Sequence, residues 1–401
     1  MKCRICEHTI GPFMTFGRMP IANGFLMPEQ FGNEYFFELK PAFCDKCLTF
    51  QIEEQPEAEM MFHDQYAFFS RTSAHMQRHF KAYAEWVSEH HLRGDDSFVV
   101  EIGSNDGIML ENFARCGIRH LGVEPSANVA DEARKHGVNT IVRFFGPETA
   151  AEIVKEYGKA DALVAANVMC HIPDMHGIAK GAEMLLKPDG VLIFEDPYLG
   201  AMIEKTSYDQ IYDEHVFIFS ALSVANIFGL YGFELIDLIK QETHGGSMRY
   251  VLARKGERSK SPAVETILGE ERAACLHLPK TYEKFRKACE ESKERLVRLL
   301  VAEKVAGRRV VGYGATSKST TILNYCCIGP DLIEFISDTT PIKQGKFSPG
   351  MHIPVKPYAA FVERFPDTAL LFAWNHKVEI MDKEKSFTAN GGKWLTHIDQ
   401  N

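Results

Sequence analysis

The sequence predicts an α/β protein in three consecutive parts: a cysteine-rich N-terminal module, a central Rossmann-like sheet and a smaller C-terminal Rossmann-like sheet. Two stretches carry this prediction, at residues 98–113 and 308–324. In each, a short apolar run leads through a glycine-rich turn into an amphipathic helix pattern. A third observation is a pair of Cys-x-x-Cys motifs that precedes both stretches. We therefore divide the chain at residues 1–60, 61–258 and 259–401.

Length and composition are typical of an ordinary soluble protein with two or three domains. The chain has 401 residues, 45% hydrophobic and 25% charged. A net charge of −9 provides no basic surface for nucleic acid. No apolar run reaches a membrane-spanning length, and the N-terminus lacks a signal-peptide core. We expect a cytoplasmic protein, a monomer of three self-contained parts, with neither nucleic acid nor membrane as a partner.

The N-terminal module carries Cys3-x-x-Cys6 and, much later, Cys44-x-x-Cys47. Four thiolates in two such pairs can close a tetrahedral zinc site. The pairs are further apart than in a compact zinc ribbon, so we expect a loop or hairpin inserted within residues 13–39. Because four thiolates leave no open coordination position, the metal is expected to be structural. A redox dithiol is the alternative interpretation.

A helical segment connects this module to the central sheet. Apolar spacing predicts an amphipathic helix from His75 to Val87 that packs on the sheet. Tyr66, Ser70 and Ser73 precede this helix, where a lid over a bound ligand is expected. Plain packing and helix capping explain these three residues equally well.

The first glycine-rich stretch reads Glu101-x-Gly103-x-x-x-Gly107, directly after a strand. It lacks the G-x-G-x-x-G spacing of a dinucleotide fingerprint. It resembles motif I of class I S-adenosylmethionine (SAM) methyltransferases, where the glycines allow the backbone to approach the cofactor. A tight turn in another kind of α/β protein is the alternative interpretation.

The elements that follow favour the same cofactor. A second strand ends at Glu124-Pro125, and an acid at this sheet edge can accept hydrogen bonds from both hydroxyls of a ribose. A third strand is predicted at residues 137–142, with Phe145 behind it as a candidate to flank an adenine. A fourth strand, 160–167, ends in Asn167-Val168.

Later elements close the repeat in a way that resembles SAM methyltransferases. A Lys-Pro-Asp-Gly turn at 187–190 precedes the fifth strand, and a final strand pair is predicted at 232–237 and 248–253. The candidate SAM-binding residues are Tyr66, Ser73, Glu101, Gly103, Ser104, Asn105, Gly107, Glu124, Pro125, Phe145, Asn167 and Val168.

An insertion after the fifth strand brings Tyr212, Glu214 and His215 together in the segment Tyr-Asp-Glu-His. A histidine beside a glutamate is a candidate general base, because the carboxylate can orient the ring and raise its proton affinity. A tyrosine hydroxyl can donate to a developing oxyanion. His171, at the end of the fourth strand, is a second candidate base. A surface acidic pair next to a packed histidine is the alternative interpretation.

The C-terminal part follows a charged stretch, 261–306, which predicts a linker helix with solvated charges. Its glycine-rich turn, Gly312-Tyr-Gly314-Ala-Thr-Ser-Lys318, lacks Walker spacing, so ATP hydrolysis is not expected. Backbone N–H groups and nearby side chains here form a candidate diphosphate cradle. The candidate substrate-binding residues of this part are Thr316, Ser317, Lys318, Asp338, Lys346 and Asn375.

Taken together, the four cysteines, Glu-Ile-Gly-Ser-Asn-Asp-Gly, Tyr-Asp-Glu-His and Gly-Tyr-Gly-Ala-Thr-Ser-Lys resemble one family over essentially the whole chain. This family is the SAM-dependent nucleotide-sugar C-methyltransferases of antibiotic deoxysugar pathways. The resemblance implies zinc on the four cysteines and SAM near Gly103, Glu124 and Asn167. It implies His215 as the base, and a dTDP-linked 4-keto (3-amino) deoxysugar as the substrate, methylated at C-3′.

The chemistry expected from these residues is carbanion formation beside a ketone. His215, oriented by Glu214, would remove the C-3 proton, while Tyr212 or His171 would stabilise the enolate oxygen. Two alternatives remain open from the sequence. One is an O- or N-methyltransferase acting on another small molecule, and the other is a non-catalytic zinc-containing binding protein.

Overall fold

The computed structural model describes residues 1–57, 60 and 74–398. The candidate cofactor residues Tyr66 and Ser73, and Ser70 beside them, lie outside this range. None of the helices within it has the length and apolar content needed to cross a membrane.

The elements of the described residues follow the order expected of an N-terminal module and two α/β sheets. The strands are β1 (Arg18–Pro20), β2 (Phe36–Glu38), β3 (Pro41–Cys44), β4 (Thr49–Ile52), β5 (Phe98–Ile102), β6 (Arg119–Val123), β7 (Thr140–Ile141), β8 (Ala160–Ala166), β9 (Leu186–Pro197), β10 (Phe217–Ile218), β11 (Phe233–Gln241), β12 (Ser247–Arg254), β13 (Val310–Tyr313), β14 (Ile336–Asp338), β15 (Val355–Pro357), β16 (Thr368–Leu371) and β17 (Lys393–Leu395). The α-helices are α1 (Ala74–His91), α2 (Leu110–Arg115), α3 (Ala127–Lys135), α4 (Pro147–Tyr157), α5 (Met175–Leu185), α6 (Leu199–Lys205), α7 (Ala221–Gly229), α8 (Pro262–Ala273), α9 (Pro279–Val305), α10 (Ser317–Tyr325), α11 (Ala359–Glu363), α12 (Lys377–Lys383) and α13 (Lys385–Ala389). Short 3-10 helices cover Pro28–Asn33, Met169–His171, Tyr208–Gln210, Thr243–Gly245 and Trp374–His376.

The N-terminal module contains two antiparallel strand pairs. Strands β3 and β4 follow each other directly, and the expected insertion contains the antiparallel pair of β1 and β2. Strand β10, from the insertion in the central part, extends the β3–β4 sheet by pairing with β4. The module is therefore joined to the central part through main-chain hydrogen bonds.

The central sheet has the strand order β11-β12-β9-β8-β5-β6-β7. Strands β5 to β9 run parallel, whereas β12 is antiparallel to both of its neighbours. All five residues of β5 are buried, as expected for a parallel strand covered on both faces. The order reverses at β5, which places a ligand crevice at the carboxyl ends of β5 and β8.

The predicted helix over His75 to Val87 is confirmed and extends to His91. Its apolar face packs on the sheet, because Phe80, Tyr83 and Val87 share a buried cluster with Val99 of β5. The predicted third strand is shortened to the two residues of β7.

The turn predicted at 187–190 is wrong in detail. Strand β9 already begins at Leu186, and these four residues form a bulge between the pairs Ala160↔Leu186 and Ala162↔Val191. The bulge stays attached to β8 because the Lys187 ammonium lies 2.7 Å from an Asp161 carboxylate oxygen. An ion pair between neighbouring strands thus replaces the free turn.

The single linker helix predicted over 261–306 is two helices, α8 and α9. Cys275 takes a left-handed conformation (φ 58°) between them, and Pro279 opens the second helix. The expectation of solvated charges fails at Glu271, which is 1% exposed. Its carboxylate accepts the backbone N–H groups of Ala221 and Leu222 at 2.6 and 2.9 Å, and so caps α7.

The C-terminal sheet is fully parallel, with the order β15-β14-β13-β16-β17. This order matches that of β7-β6-β5-β8-β9 in the central sheet, so a second crevice is expected at the carboxyl ends of β13 and β16. The predicted fold class, a zinc-type module followed by two Rossmann-like sheets, is confirmed.

Candidate active site

The carboxyl edges of the two parallel sheets meet each other. Gly245, in the loop between β11 and β12, packs so tightly on Trp374 after β16 that an added Cβ would lie 2.1 Å from the indole. Asp209, between the sheets, accepts the Trp374 indole N–H at 2.7 Å and pairs with His397 Nε2 at 2.9 Å. Burial alone would raise the pKa of Asp209, but His397 and Trp374 lower it overall, so this carboxylate stays charged.

The predicted base, His215, lies in this junction and is 4% exposed. Its Nδ1 is 2.7 Å from the Gln210 carbonyl oxygen, and its Nε2 is 2.9 Å from the Tyr212 hydroxyl. Because a carbonyl can only accept, Nδ1 carries the hydrogen and Nε2 presents a lone pair. Burial, together with the nearby charges of His171 and Lys318, holds the pKa of His215 well below its usual range. The ring is therefore neutral and can accept a proton at Nε2.

His171 lies beside this ring, at the end of β8. The two imidazoles are 5.3 Å apart between centroids and tilted by 28°. Burial lowers the pKa of His171 to about 4. Ligating atoms of Cys170, His171 and His215 all lie within 4.8 Å of one another, so the two histidines converge on one point. One thiol and two imidazoles could also hold a soft metal ion.

The expectation that Glu214 orients His215 is wrong. Among the described residues no hydrogen bond joins the two side chains; Glu214 Oε1 instead accepts the Asn23 side-chain N–H at 2.7 Å. The backbone N–H of His215 bonds the Tyr212 carbonyl at 3.0 Å, and this tight turn sends neighbouring side chains to different sides. Burial raises the pKa of Glu214 in spite of that bond. The ring is oriented by Gln210.

The inserted loop of the N-terminal module reaches this site, which the sequence did not reveal. Asn23 also donates to Ser317 Oγ at 3.0 Å, so one amide joins the loop, the Tyr-Asp-Glu-His segment and α10. The backbone of Ala22 donates to Asp213 at 3.0 Å and accepts from Thr320 Oγ1 at 2.8 Å. The one available signal was the unusual length of the insertion between the cysteine pairs.

The motif I glycines occupy positions that tolerate no side chain. Gly103 has φ 63°, and an added Cβ would lie 2.5 Å from Val168, the neighbouring candidate at the end of β8. Gly107 has φ 75°, and its Cβ would meet Val138 at 2.9 Å. The second glycine is thus required by packing within the protein, whereas the first shapes the crevice.

Three buried polar atoms in or just after β5 and β8 have no partner among the described residues. They are Glu101 Oε2, Ser104 Oγ and Asn167 Oδ1. Burial, with Glu124 and Asp106 nearby, raises the pKa of Glu101 well above its usual range. Unpaired buried acceptors are costly, so they fit a ligand that brings donors and a positive charge.

Glu124 occupies the end of β6, as predicted. One carboxylate oxygen accepts the backbone N–H of Asn105 and the other that of Ser126, both at 2.9 Å. Each oxygen retains a second lone pair, which fits a ribose diol. Pro125 beside it is half-buried, and the half-buried ring of Phe145 packs against Gly181 of α5.

At the C-terminal edge, three of the six candidate groups, Thr316, Ser317 and Asp338, already make hydrogen bonds within the protein. Asp338 accepts the backbone N–H groups of Ala315 and Thr340 at 2.6 and 2.7 Å. Thr316 Oγ1 accepts the Ser319 N–H at 3.2 Å as the N-cap of α10. Two further candidates, Lys346 and Asn375, are half-buried.

Lys318, in the first turn of α10, differs from these groups. It is only 9% exposed. The hydrogen bonds and ion pairs between described residues include none from its ammonium group. Burial lowers its pKa, and the charges of Asp209 and Glu214 oppose that lowering.

The four predicted metal ligands converge in the N-terminal module. Cys3 and Cys47 Sγ atoms are 3.5 Å apart, as are those of Cys6 and Cys44, and all four lie within 4.8 Å. Thiolates at about 2.3 Å from a tetrahedral zinc have this spacing. Gln51 Nε2 lies 3.2 Å from Cys3 Sγ and supports the ligand from outside the cluster.

Comparison with protein families matches nearly the whole chain with three models in succession. They are "Putative zinc binding domain" over residues 3–62, "Methyltransferase domain" over 74–238 and "C-methyltransferase C-terminal domain" over 242–398. The first two match the regions of the cysteine cluster and the central sheet described above.

One relative matches over nearly its full length, and others match part of the chain. C-methyltransferase NovU of Streptomyces niveus is 33% identical over 402 residues, covering 100% of this chain and 96% of the relative. A ubiquinone biosynthesis O-methyltransferase of Actinobacillus pleuropneumoniae serotype 7 (strain AP76) is 31% identical over 106 residues, or 24% of this chain and 44% of the relative. Among solved structures, magnesium protoporphyrin IX methyltransferase from Synechocystis PCC 6803 with bound SAM covers 45% of this chain and is itself covered to 79%, with 15% identity and a TM-score of 0.33.

Proposed function

This chain belongs to the family of SAM-dependent C-methyltransferases, and from that premise we propose that it methylates C-3′ of a dTDP-linked 4-keto (3-amino) deoxysugar. The protein uses SAM, bound at the central sheet, to methylate a small molecule, and the four cysteines hold a structural zinc. The single observation that carries the proposal is the neutral His215, whose Nε2 lone pair is held in a buried junction by the Gln210 carbonyl.

The proposed cofactor site is the crevice at the ends of β5 and β8. Glu101 and Asn167 offer unpaired acceptors to the cationic part of the cofactor, and Glu124 can accept from the ribose hydroxyls. Because Gly103 has no side chain, it leaves room for the methionine part of SAM. When bound, SAM supplies an electrophilic methyl group.

The protein residues perform the acid–base part of the reaction. His215 Nε2 takes the proton from the carbon beside the ketone, and the electron pair of that C–H bond moves into the enolate. The Tyr212 hydroxyl donates to His215 Nε2 when no methyl acceptor is bound. It then turns toward the ketone oxygen of the substrate as negative charge develops there. The carbon is then nucleophilic, and a ketone is what makes this proton acidic enough to remove.

A neutral base in a dry site suits carbon acids in particular. An oxygen or nitrogen acceptor already has a lone pair and needs only modest assistance to be methylated. A carbon acceptor needs a base whose lone pair is free of solvent and fixed in direction, because the reacting geometry has to be held closely. Burial and the fixed Nδ1–H of His215 provide both conditions.

The remaining candidates are proposed to hold the nucleotide sugar. Ser317 and Asn375 lie at the C-terminal edge that faces His215, and Lys346 follows β14 in a basic loop. Thr316 and Asp338 act through the shape of the loop they stabilise, since their oxygens already accept backbone N–H groups.

The test is incubation of the protein with SAM and a panel of dTDP-4-keto-deoxysugars in D2O, followed by mass spectrometry. We expect one methyl group to be gained and the C-3 hydrogen to be lost on the preferred sugar. Methylation of an acceptor without a neighbouring ketone, and of none of the keto sugars, would replace the proposal with an O- or N-methyltransferase. Failure to bind SAM at all would favour a non-catalytic binding protein.

A further inference from the structure

We infer that Lys318 is a catalytic residue, whose ammonium group binds the ketone oxygen of the acceptor and stabilises the enolate. This inference rests on the function proposed above. It gives the C-terminal sheet a part in the chemistry itself, in place of the diphosphate contact that the sequence suggested for this lysine.

The first argument is burial without a partner. Lys318 is nine-tenths buried, yet its ammonium donates to no residue that the structure describes. A largely buried lysine whose ammonium has no protein partner is available to a ligand that completes it. Its neighbours in the same turn, Ser317 and Ser319, both make hydrogen bonds.

The second argument is position. Lys318 lies in the first turn of α10, where the backbone N–H groups also favour negative charge. Thr321, one turn later on the same face, donates to the Ile211 carbonyl at 3.0 Å. That face of α10 therefore lies against the segment that ends in His215. The charge of Lys318 contributes to the lowered pKa of His215, as expected for groups that lie near each other.

The third argument concerns the charge of the ligand. The Asp209 carboxylate, held by His397 and Trp374, and the Glu214 carboxyl group both lie near the ammonium. The charged Asp209 would repel a diphosphate with two or more negative charges. A ketone oxygen is neutral at first and gains at most one charge, so it is the better match for one cation flanked by two acids.

The step that follows is balanced without any further reagent. As His215 Nε2 takes the proton, the C–H electron pair becomes the new C=C bond of the enolate, and the carbonyl π pair moves onto oxygen. Lys318 neutralises that charge without transferring a proton. Tyr212 can donate to the same oxygen from the other side, so the oxyanion has two donors from two different parts of the chain.

The experiment combines two Lys318 variants with two acceptors. Lys318→Met removes the charge at similar volume, and Lys318→Arg keeps it; Lys304→Gln, in an exposed pair with Asp331, is the matched control. The acceptors are a dTDP-4-keto-6-deoxysugar and the 1-O-methyl glycoside of the same keto sugar, which lacks the diphosphate. Two rates are measured at saturating acceptor: deuterium exchange beside the ketone without SAM, and methyl transfer with SAM.

We expect Lys318→Met to slow both rates at least tenfold on both acceptors, with KM changed less than threefold and SAM affinity retained. Lys318→Arg should recover part of the rate, and the control should match the unaltered protein. A Lys318→Met protein that exchanges deuterium at the normal rate, or whose defect is a raised KM confined to the diphosphate acceptor, overturns the inference. Absence of carbon methylation by the unaltered protein would instead refute the proposed function, so the two failures are distinguishable.

Discussion

The two parallel sheets of this protein share a strand order but use their carboxyl edges differently. In both, the second strand ends in an acid that accepts backbone N–H groups, Glu124 in the central sheet and Asp338 in the C-terminal sheet. In both, the first strand ends in a left-handed glycine, Gly103 and Gly314. The scaffolds are therefore equivalent at the positions that shape a crevice.

The difference lies in what each edge leaves unpaired. The central edge presents buried acceptors with no partner among the described residues, including Glu101 and Asn167, which suit a cationic cofactor. At the C-terminal edge, the acid Asp338 and the helix cap Thr316 accept hydrogen bonds from backbone N–H groups. The cation Lys318, near Asp209 and Glu214, has no partner among the described residues. The same fold thus supplies a cofactor pocket in the central sheet. In the C-terminal sheet, as we infer, it supplies a cation that stabilises the enolate.

The most severe test of this division is His215→Asn, which removes the base between the two edges. We expect kcat/KM to fall by about 10² to 10⁴ because general-base catalysis contributes that range. Neither edge is altered, so the affinity for SAM, measured by calorimetry, should stay within twofold. His136→Asn, in an exposed pair with Glu132, is the control. Full activity of the His215 variant would show that His215 is not the general base.

A paired substitution compares the two glycines directly. Gly103→Ala should weaken SAM binding by about 10- to 100-fold, since left-handed strain of roughly 1–3 kcal/mol adds to a clash with Val168. Gly314→Ala carries similar left-handed strain (φ 87°) but a looser contact, with Ala373 at 3.1 Å and Thr316 at 3.9 Å, and should leave SAM affinity unchanged while raising the KM of the acceptor. Equal losses of SAM affinity in both variants would show that the edges are not separate in function.

A smaller effect is expected where the N-terminal module joins the two edges. Asn23→Ala removes the bonds to Glu214 and Ser317, and we expect kcat/KM to fall by up to about tenfold, since a hydrogen bond contributes roughly 0.5–1.5 kcal/mol. SAM affinity is the internal control and should not change.

Removing zinc should reproduce that pattern with a larger loss. The loop that carries Asn23 is anchored between the cysteine pairs, and small zinc modules lose their fold without the metal. Activity should fall and return when zinc is restored, followed by far-ultraviolet circular dichroism and by metal content. An unchanged acceptor rate in the metal-free protein would mean that the module does not position Asn23.

The sequence was most informative where function and local geometry coincide. Motif I, the acid of Glu124 and the cysteine pairs each depend on a fixed local spacing, and the structure brings each group together as expected. The partners of the Tyr-Asp-Glu-His segment were not predictable in this way. Asn23 lies 191 residues before Glu214, and the direction of a side chain in a turn depends on packing, not on adjacency.

The same limit applies to the C-terminal edge. The turn at 312–318 has the composition of an anion site, and the sequence assigned its hydroxyls and lysine together. In the fold, Thr316 caps the helix while the Lys318 ammonium lies near Asp209, Glu214 and His215. Which of several adjacent polar residues faces a ligand is set by the contacts of α10 with residues 208–215, formed between segments about a hundred residues apart.

The smallest expected effect is on the pH profile of kcat/KM, which depends on both His215 and Lys318. His215 acts as the neutral base, and its pKa is lowered, so activity should be constant near pH 7 and fall only as pH decreases below the ordinary histidine value of about 6.5. Lys318 acts as the cation, and its pKa is also lowered, so activity should fall again as pH rises, before about 10.5. Lys318→Arg should move only the alkaline limb to higher pH, because guanidinium stays protonated. If the Lys318→Arg variant shifts the acid limb, or leaves the alkaline limb unchanged, then His215 and Lys318 do not have separate roles as base and cation.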